Sequence, residues 1–202
     1  MENKKKLIVI AVVFALVIGG AYALYTQLGP RFAQDQLATP GIQSQNPQST
    51  QSTQEPTNTT AEPQTVPAPD FTVYDAQGNE VRLSDYFGKP IVLNFWASWC
   101  GPCQMEMPDF QEKYLELGND VQFLMINMTD GDRETVESAG AFIAKKGYTF
   151  PVFFDSKLNA ANTYGAYSLP MTVLIDAKGN IITYAIGAIS GETLQRGIDM
   201  IV

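Results

Sequence analysis

The chain has 202 residues, 45% of them apolar, which is room for one domain with accessories and for a real core in its second two-thirds. Formal net charge is −8, and from Thr65 onward 9 Lys and Arg stand against 17 Asp and Glu, so the basic footprint that phosphate backbones require is missing and no nucleic-acid partner is expected. The chain contains no His, which excludes Ser–His and Cys–His hydrolase arrangements and removes the commonest metal ligand.

In chain order, residues 1–6 are short and basic (Lys4, Lys5, Lys6), and Leu7 to Tyr25 then runs without a charged or strongly polar side chain. That run is close to the ~20 apolar residues that cross a bilayer, and the preceding lysines place the N-terminus in the cytoplasm and all that follows outside it. A transmembrane anchor over 7–25 is expected; the competing reading is a signal peptide cleaved at Ala21-Tyr22-Ala23, which exports the domain equally. Residues 26–64 turn to Gln, Ser, Thr, Pro and Asn, too poor in large apolar groups to offset their ordering entropy, and read as a flexible tether.

The folded domain is expected over 65–202. Phe71 to Tyr74 and Glu80 to Leu83 flank Asp75-Ala76-Gln77-Gly78-Asn79, a hairpin signal. Ile91 to Trp96, apolar except for Asn94, reads as a buried central strand. A helix from Pro102 to Leu117 starts at the cysteines and stops at Gly118-Asn119. Val121 to Asn127 is a second buried strand, Glu134 to Lys146 a helix ended by Gly147, Val152 to Phe154 a short strand, and Leu158 to Tyr164 a short helix. Met171 to Ile175 and Ile181 to Ile186 flank Asp176-Ala177-Lys178-Gly179-Asn180, a second hairpin, and Glu192 to Ile201 closes the chain as a helix. Alternating strands and helices followed by an antiparallel hairpin describe a mixed α/β sandwich.

Only two cysteines exist, Cys100 and Cys103. Two ligands are too few for a structural zinc site, and a stapled secreted scaffold uses more cysteines at wider spacing, so the pair is a redox couple or a short-loop disulfide. At i and i+3 on the first helical turn they face the same way. Cys100 then sits where unpaired helix N–H groups and the positive dipole end favour a thiolate, the attacking species. Cys103, one turn further in, is the resolving thiol that breaks a mixed disulfide.

Phe95-Trp96-Ala97-Ser98-Trp99-Cys100-Gly101-Pro102-Cys103 resembles a thioredoxin-fold active site, and Met105-Glu106-Met107-Pro108 after it resembles the TlpA/ResA branch of membrane-anchored thiol–disulfide oxidoreductases. The resemblance covers about Val66 to Val202. It implies a thioredoxin-like three-layer sandwich with a mixed central sheet, an N-terminal β-hairpin extension and a central insert near Asp130 to Phe150. It implies that Pro170, after Leu169, is the cis-proline of a loop facing the disulfide and presenting backbone to substrate. Leu169 departs from the Thr common there in thioredoxins. Trp99, Gly101 and Pro102 would line the site, with Trp96 in the core and Pro108 as the helix-kinking proline. Glu106, on the face of Cys103, would exchange protons with it; the plain alternative is a solvated glutamate in the first helical turn. Asn94 stands where thioredoxins carry a buried Asp, and an amide cannot take a proton at neutral pH.

The resemblance implies an extracytoplasmic enzyme reducing disulfides of exported proteins, such as apocytochrome c or a repair enzyme. A CcdA/DsbD-type membrane protein would be its electron donor. The dithiol carries both electrons, so no cofactor and no metal are expected. Rival readings are a dithiol oxidase, a thiol peroxidase (Pro67-Ala68-Pro69-Asp70-Phe71 resembles peroxiredoxin-like N-termini), and a non-catalytic binding or chaperone module with a structural disulfide.

Overall fold

The computed structural model describes residues 37–39 and 66–202. The N-terminus 1–6, the span expected over 7–25 and all of the 26–64 tether except 37–39 lie outside the described residues. Among the described residues no helix is long and apolar enough to cross a membrane.

The strands are β1 (Val66–Pro67), β2 (Thr72–Tyr74), β3 (Glu80–Arg82), β4 (Ile91–Trp96), β5 (Gln122–Asn127), β6 (Val152–Phe154), β7 (Met171–Ile175) and β8 (Asn180–Ile186). The helices are α1 (Gly101–Leu117), α2 (Val136–Lys146), α3 (Asn159–Tyr164) and α4 (Gly191–Asp199). The strands form one sheet in the order β1-β8-β7-β4-β5-β6-β2-β3, with β4, β5 and β6 parallel and the other pairings antiparallel.

The run of β4 is apolar at every position but Asn94 because the strand is covered on both faces. Ile91, Leu93 and Phe95 enter one core cluster with Leu124 and Ile126 of β5. Val92 and Trp96 enter the other with Phe123 and Met125. The second cluster is closed by Cys103, Met107 and Phe110 of α1, Ala139 of α2 and Leu194 and Ile198 of α4; the first by Leu83, Ala160 and Ala161. Two cores on opposite faces of one sheet make three layers.

Both hairpin signals act through the same local chemistry. Asp75 Oδ1 accepts the N–H groups of Gln77 and Asn79, and Asp176 Oδ1 those of Lys178 and Asn180. Gly78 and Gly179 take φ of 80° and 84°, a conformation that strains any other L-residue. After β5 come α2 and then β6, and β6 continues the parallel part of the sheet beside β5.

Three differences from the sequence reading have physical causes. Within the stretch read as tether, Ala38 exchanges backbone hydrogen bonds with Tyr184 (N–H to O, 2.6 and 2.9 Å), Thr183 Oγ1 donates to the Ala38 carbonyl, and Leu37 packs against the core. Beyond its pairing with β1 the outer edge of β8 has backbone groups to satisfy, and Ala38 meets those of Tyr184. Val66–Pro67 likewise forms the edge strand β1, short enough to tolerate a proline. The third difference is that α2 starts at Val136, with Thr135 as its cap, so Glu134 lies outside the helix.

The α2 cap is reciprocal: Thr135 Oγ1 accepts from Ser138 N–H, and Ser138 Oγ accepts from Thr135 N–H. Thr135→Ala is expected to lower unfolding free energy by about 1 kcal/mol. Chemical denaturation followed by Trp fluorescence checks it; an unchanged midpoint would show that the cap carries no stability.

Candidate active site

β4 ends at Trp96, three residues turn the chain, and α1 begins at Gly101. Cys100 is the N-cap residue, and its Sγ accepts from Cys103 N–H at 3.2 Å. The Gln104 N–H donates to the Cys100 carbonyl, the first helical bond, and Pro102 stands where a missing N–H costs nothing. Cys100 and Cys103 are joined in a disulfide (S–S 2.07 Å, Cα–Cα 5.3 Å). Once it is reduced, the two sulfurs are unequal. Sγ of Cys100 faces helix N–H groups that stabilise a thiolate, whereas Cys103 is fully buried among apolar side chains, which disfavours one.

A cleft of about 440 Å³ opens beside Cys100, lined by Trp99, Gly101, Pro102, Leu169, Ala166 and Tyr167 among others. The Leu169–Pro170 peptide is cis, and the Pro170 carbonyl accepts from Gly187 N–H at 2.8 Å. Trp99 is 43% exposed, and the Arg133 guanidinium lies 3.6 Å from its ring centroid. Tyr167, 78% exposed on the opposite lip, was not anticipated; its place directly before Ser168-Leu169-Pro170 was the available signal.

Glu106 is only 2% exposed. That excludes the solvated alternative. Its Oε1 accepts from Asn94 Nδ2 (2.8 Å) and its Oε2 from Ile189 N–H (3.0 Å). Burial pushes the carboxyl from 4.5 up to about 7, the two hydrogen bonds offset part of that, and the Asp109 charge adds to the rise. Asn94 Nδ2 also meets Thr172 Oγ1 at 3.1 Å, while its buried Oδ1 has no hydrogen-bond partner. Both bonds to Glu106 suit the ionised form. A protonated Glu106 needs an acceptor, and turning the Asn94 amide over would bring Oδ1 to it. Cys103 and Glu106, three residues apart on α1, are both buried on the face toward the sheet.

The structure therefore brings Trp99, Cys100, Gly101, Pro102 and Leu169 to one cleft, sets cis Pro170 next to Leu169, and places Cys103 and Glu106 beneath the surface. Sequence reasoning missed Thr172 and Ile189, whose contacts with the Asn94–Glu106 pair are long-range, and Ser98 with Glu134, described below. Among the described residues no cluster of three or more His, Cys, Asp or Glu is placed to hold a metal.

The AhpC/TSA family model matches residues 65–184. The thiol-disulfide oxidoreductase ResA of Geobacillus kaustophilus is 38% identical over 135 residues, 66% of this chain and 75% of that protein. The crystal structure of StoA from Bacillus subtilis superposes with a TM-score of 0.56 at 29% identity, covering 67% of this chain and 99% of StoA. That of the exposed lipoprotein thioredoxin Etrx1 from Streptococcus pneumoniae gives a TM-score of 0.55 at 32% identity, covering 65% of this chain and 98% of Etrx1.

Proposed function

The chain belongs to the AhpC/TSA family and, within the thioredoxin superfamily, to the ResA/TlpA-type thiol–disulfide oxidoreductases, and from that premise we propose that it reduces disulfides of exported proteins outside the cytoplasm, held at the membrane by residues 7–25. The observation that carries the reading is the disulfide itself: Cys100 on the helix N-terminus at a cleft mouth, Cys103 behind it in the core. Attachment and export rest on the Lys4–Lys6 charges before the apolar run 7–25, and the exposed lipoprotein Etrx1 has a related fold.

The chemistry balances without a further group. The Cys100 thiolate attacks one sulfur of the client disulfide, the client S–S bond breaks, and one client thiolate leaves. Glu106 takes the proton from Cys103, whose thiolate attacks Cys100 Sγ, forms the Cys100–Cys103 bond and releases the second client sulfur as a thiolate. Two electrons pass from this dithiol to the client, so the enzyme must then be reduced again. A membrane dithiol donor of the CcdA/DsbD type fits that need for an exported domain. The Leu169-Pro170 loop would present backbone to an extended client segment, and the apolar wall of Trp99, Leu169 and Tyr167 would receive its side chains.

Equilibration of the protein with defined dithiol buffers tests the direction of transfer. A reduction potential near or below about −250 mV, in the thioredoxin range, is expected for a reductase. A value near about −120 mV, that of a strong oxidant, would replace this reading with disulfide introduction.

A further inference from the structure

One buried carboxylate near the disulfide has no part in that scheme. Glu134, fully buried, accepts three hydrogen bonds, all from uncharged groups. Ser98 N–H (2.9 Å) and Asn127 Nδ2 (2.8 Å) donate to Oε1, and Ser98 Oγ donates to Oε2 at 2.7 Å. Burying a carboxylate costs desolvation, which these three hydrogen bonds offset, and an apolar side chain in its place would leave the Ser98 N–H and the buried Asn127 Nδ2 without an acceptor. What this costly group holds in place gives it a further reason to be there.

Its contacts supply one. Ser98 is the middle residue of the turn between β4 and the Cys100 cap, and Glu134 grips both its N–H and its hydroxyl. The Ser98 carbonyl is taken from the other side by Gln104 Nε2 at 2.6 Å, and Cys100 N–H donates to the Ala97 carbonyl at 3.1 Å. Glu134 is itself held: its N–H donates to Asp130 Oδ1 (3.0 Å), and its carbonyl accepts from Gly131 N–H (3.0 Å). Asn127 Oδ1 is fixed by Thr129 Oγ1 at 2.7 Å. The adjacent Arg133 stacks on Trp99, so the loop after β5 contacts two consecutive residues of the turn just before Cys100.

We propose that Glu134 is a positioning residue for thiol–disulfide exchange, clamping the Ser98 turn so that Cys100 Sγ stays over the α1 N-terminus. The assignment rests on Cys100 being the attacking thiol. Without the clamp, the turn can carry Sγ away from the Cys103 N–H that stabilises its thiolate, and reactivity falls. The hydrogen bonds act here, not the charge.

The test is the rate of iodoacetamide alkylation of the fully reduced full-length protein as a function of pH, with mass spectrometry to locate the label and thermal melts alongside. In Glu134→Ala, Cys100 labelling at pH 7 should slow about tenfold and the midpoint of its pH profile should rise. Glu134→Gln, whose amide oxygen still accepts from Ser98 N–H, should stay within about twofold of the parent, and Ser98→Ala, which loses one bond of the clamp, should slow about threefold. A Glu134→Ala protein with a lower melting temperature but the parent's rate and midpoint would overturn the assignment. So would Glu134→Gln slowing as much as Glu134→Ala, since charge would then be the agent. If Glu134→Ala does not fold, Ser98→Ala decides: slowing with Glu134→Gln unaffected supports the clamp, and the parent's rate overturns it. First labelling at Cys103 in the parent would overturn the reading of Cys100 as attacking thiol, and with it the assignment; unchanged variants on a reactive Cys100 overturn the assignment alone.

Discussion

Cys100→Ser is expected to lower thiol–disulfide oxidoreductase activity by at least roughly a thousandfold, because a nucleophile and its resolving partner act as a unit and losing one removes nearly all the acceleration. The two cysteines should fail differently. Cys103→Ser keeps a thiol at the α1 N-cap, where Cys100 Sγ meets the helix N–H groups, so it can still attack but cannot be resolved. It should accumulate a mixed disulfide with client protein, visible on a non-reducing gel and reversed by added dithiol. Cys100→Ser should leave only the buried Cys103 and trap nothing. Equal trapping by the two variants would show that the helix terminus does not distinguish the sulfurs. Retained activity in either would remove the dithiol mechanism and favour a binding module with a structural disulfide.

Glu106→Gln should change how stability depends on pH. Burial lifts the Glu106 carboxyl from 4.5 to about 7 in the folded protein, so the folded state holds a proton that the unfolded chain has released between those values. Its contribution is fully present below the unfolded value, declines as pH rises through the folded one, and is gone above it. The shift corresponds to roughly 3 kcal/mol, so relative to Glu106→Gln the parent should lose about that much between pH 4 and pH 8. Glutamine can take the same place: its amide oxygen still accepts from Ile189 N–H, and a turned Asn94 amide offers its unpartnered Oδ1 to the new N–H group. Urea denaturation of both disulfide forms at several pH values measures the difference; parallel curves would mean that Glu106 titrates normally. If Glu106 takes the Cys103 proton as proposed, the same substitution should slow resolution of the mixed disulfide roughly a hundredfold near neutral pH. An unchanged resolution rate would leave Glu106 without a part in the chemistry.

The sequence by itself determined what depends on near neighbours. The two Asp-Ala-x-Gly-Asn turns close through bonds spanning two to four residues, so their side chains specify the hairpins wherever they occur. The length of Ile91 to Trp96 and its apolarity at every position but Asn94 required a strand covered on both faces, and the i, i+3 cysteines at a helix start required a pair able to bridge. The tertiary structure alone decided the surroundings of the buried acids. Helical spacing alone leaves Glu106 a glutamate in an early helical turn, and only the family resemblance gave it a role; burial in the fold pushes its carboxyl up to about 7, against the hydrogen bonds from Asn94 on β4 and from Ile189, 83 residues away. Glu134 reads in sequence as the start of the next helix, but the Thr135 cap excludes it, and Ser98, 36 residues earlier, claims it for the active-site turn. Leu37 and Ala38 lie in a stretch whose composition predicts no packing, yet Ala38 pairs with Tyr184 of β8 and Leu37 packs against the core. Burial and hydrogen-bond partners brought together by the chain's return set a carboxyl's proton affinity and role, and neither composition nor periodicity records which distant residue will supply them.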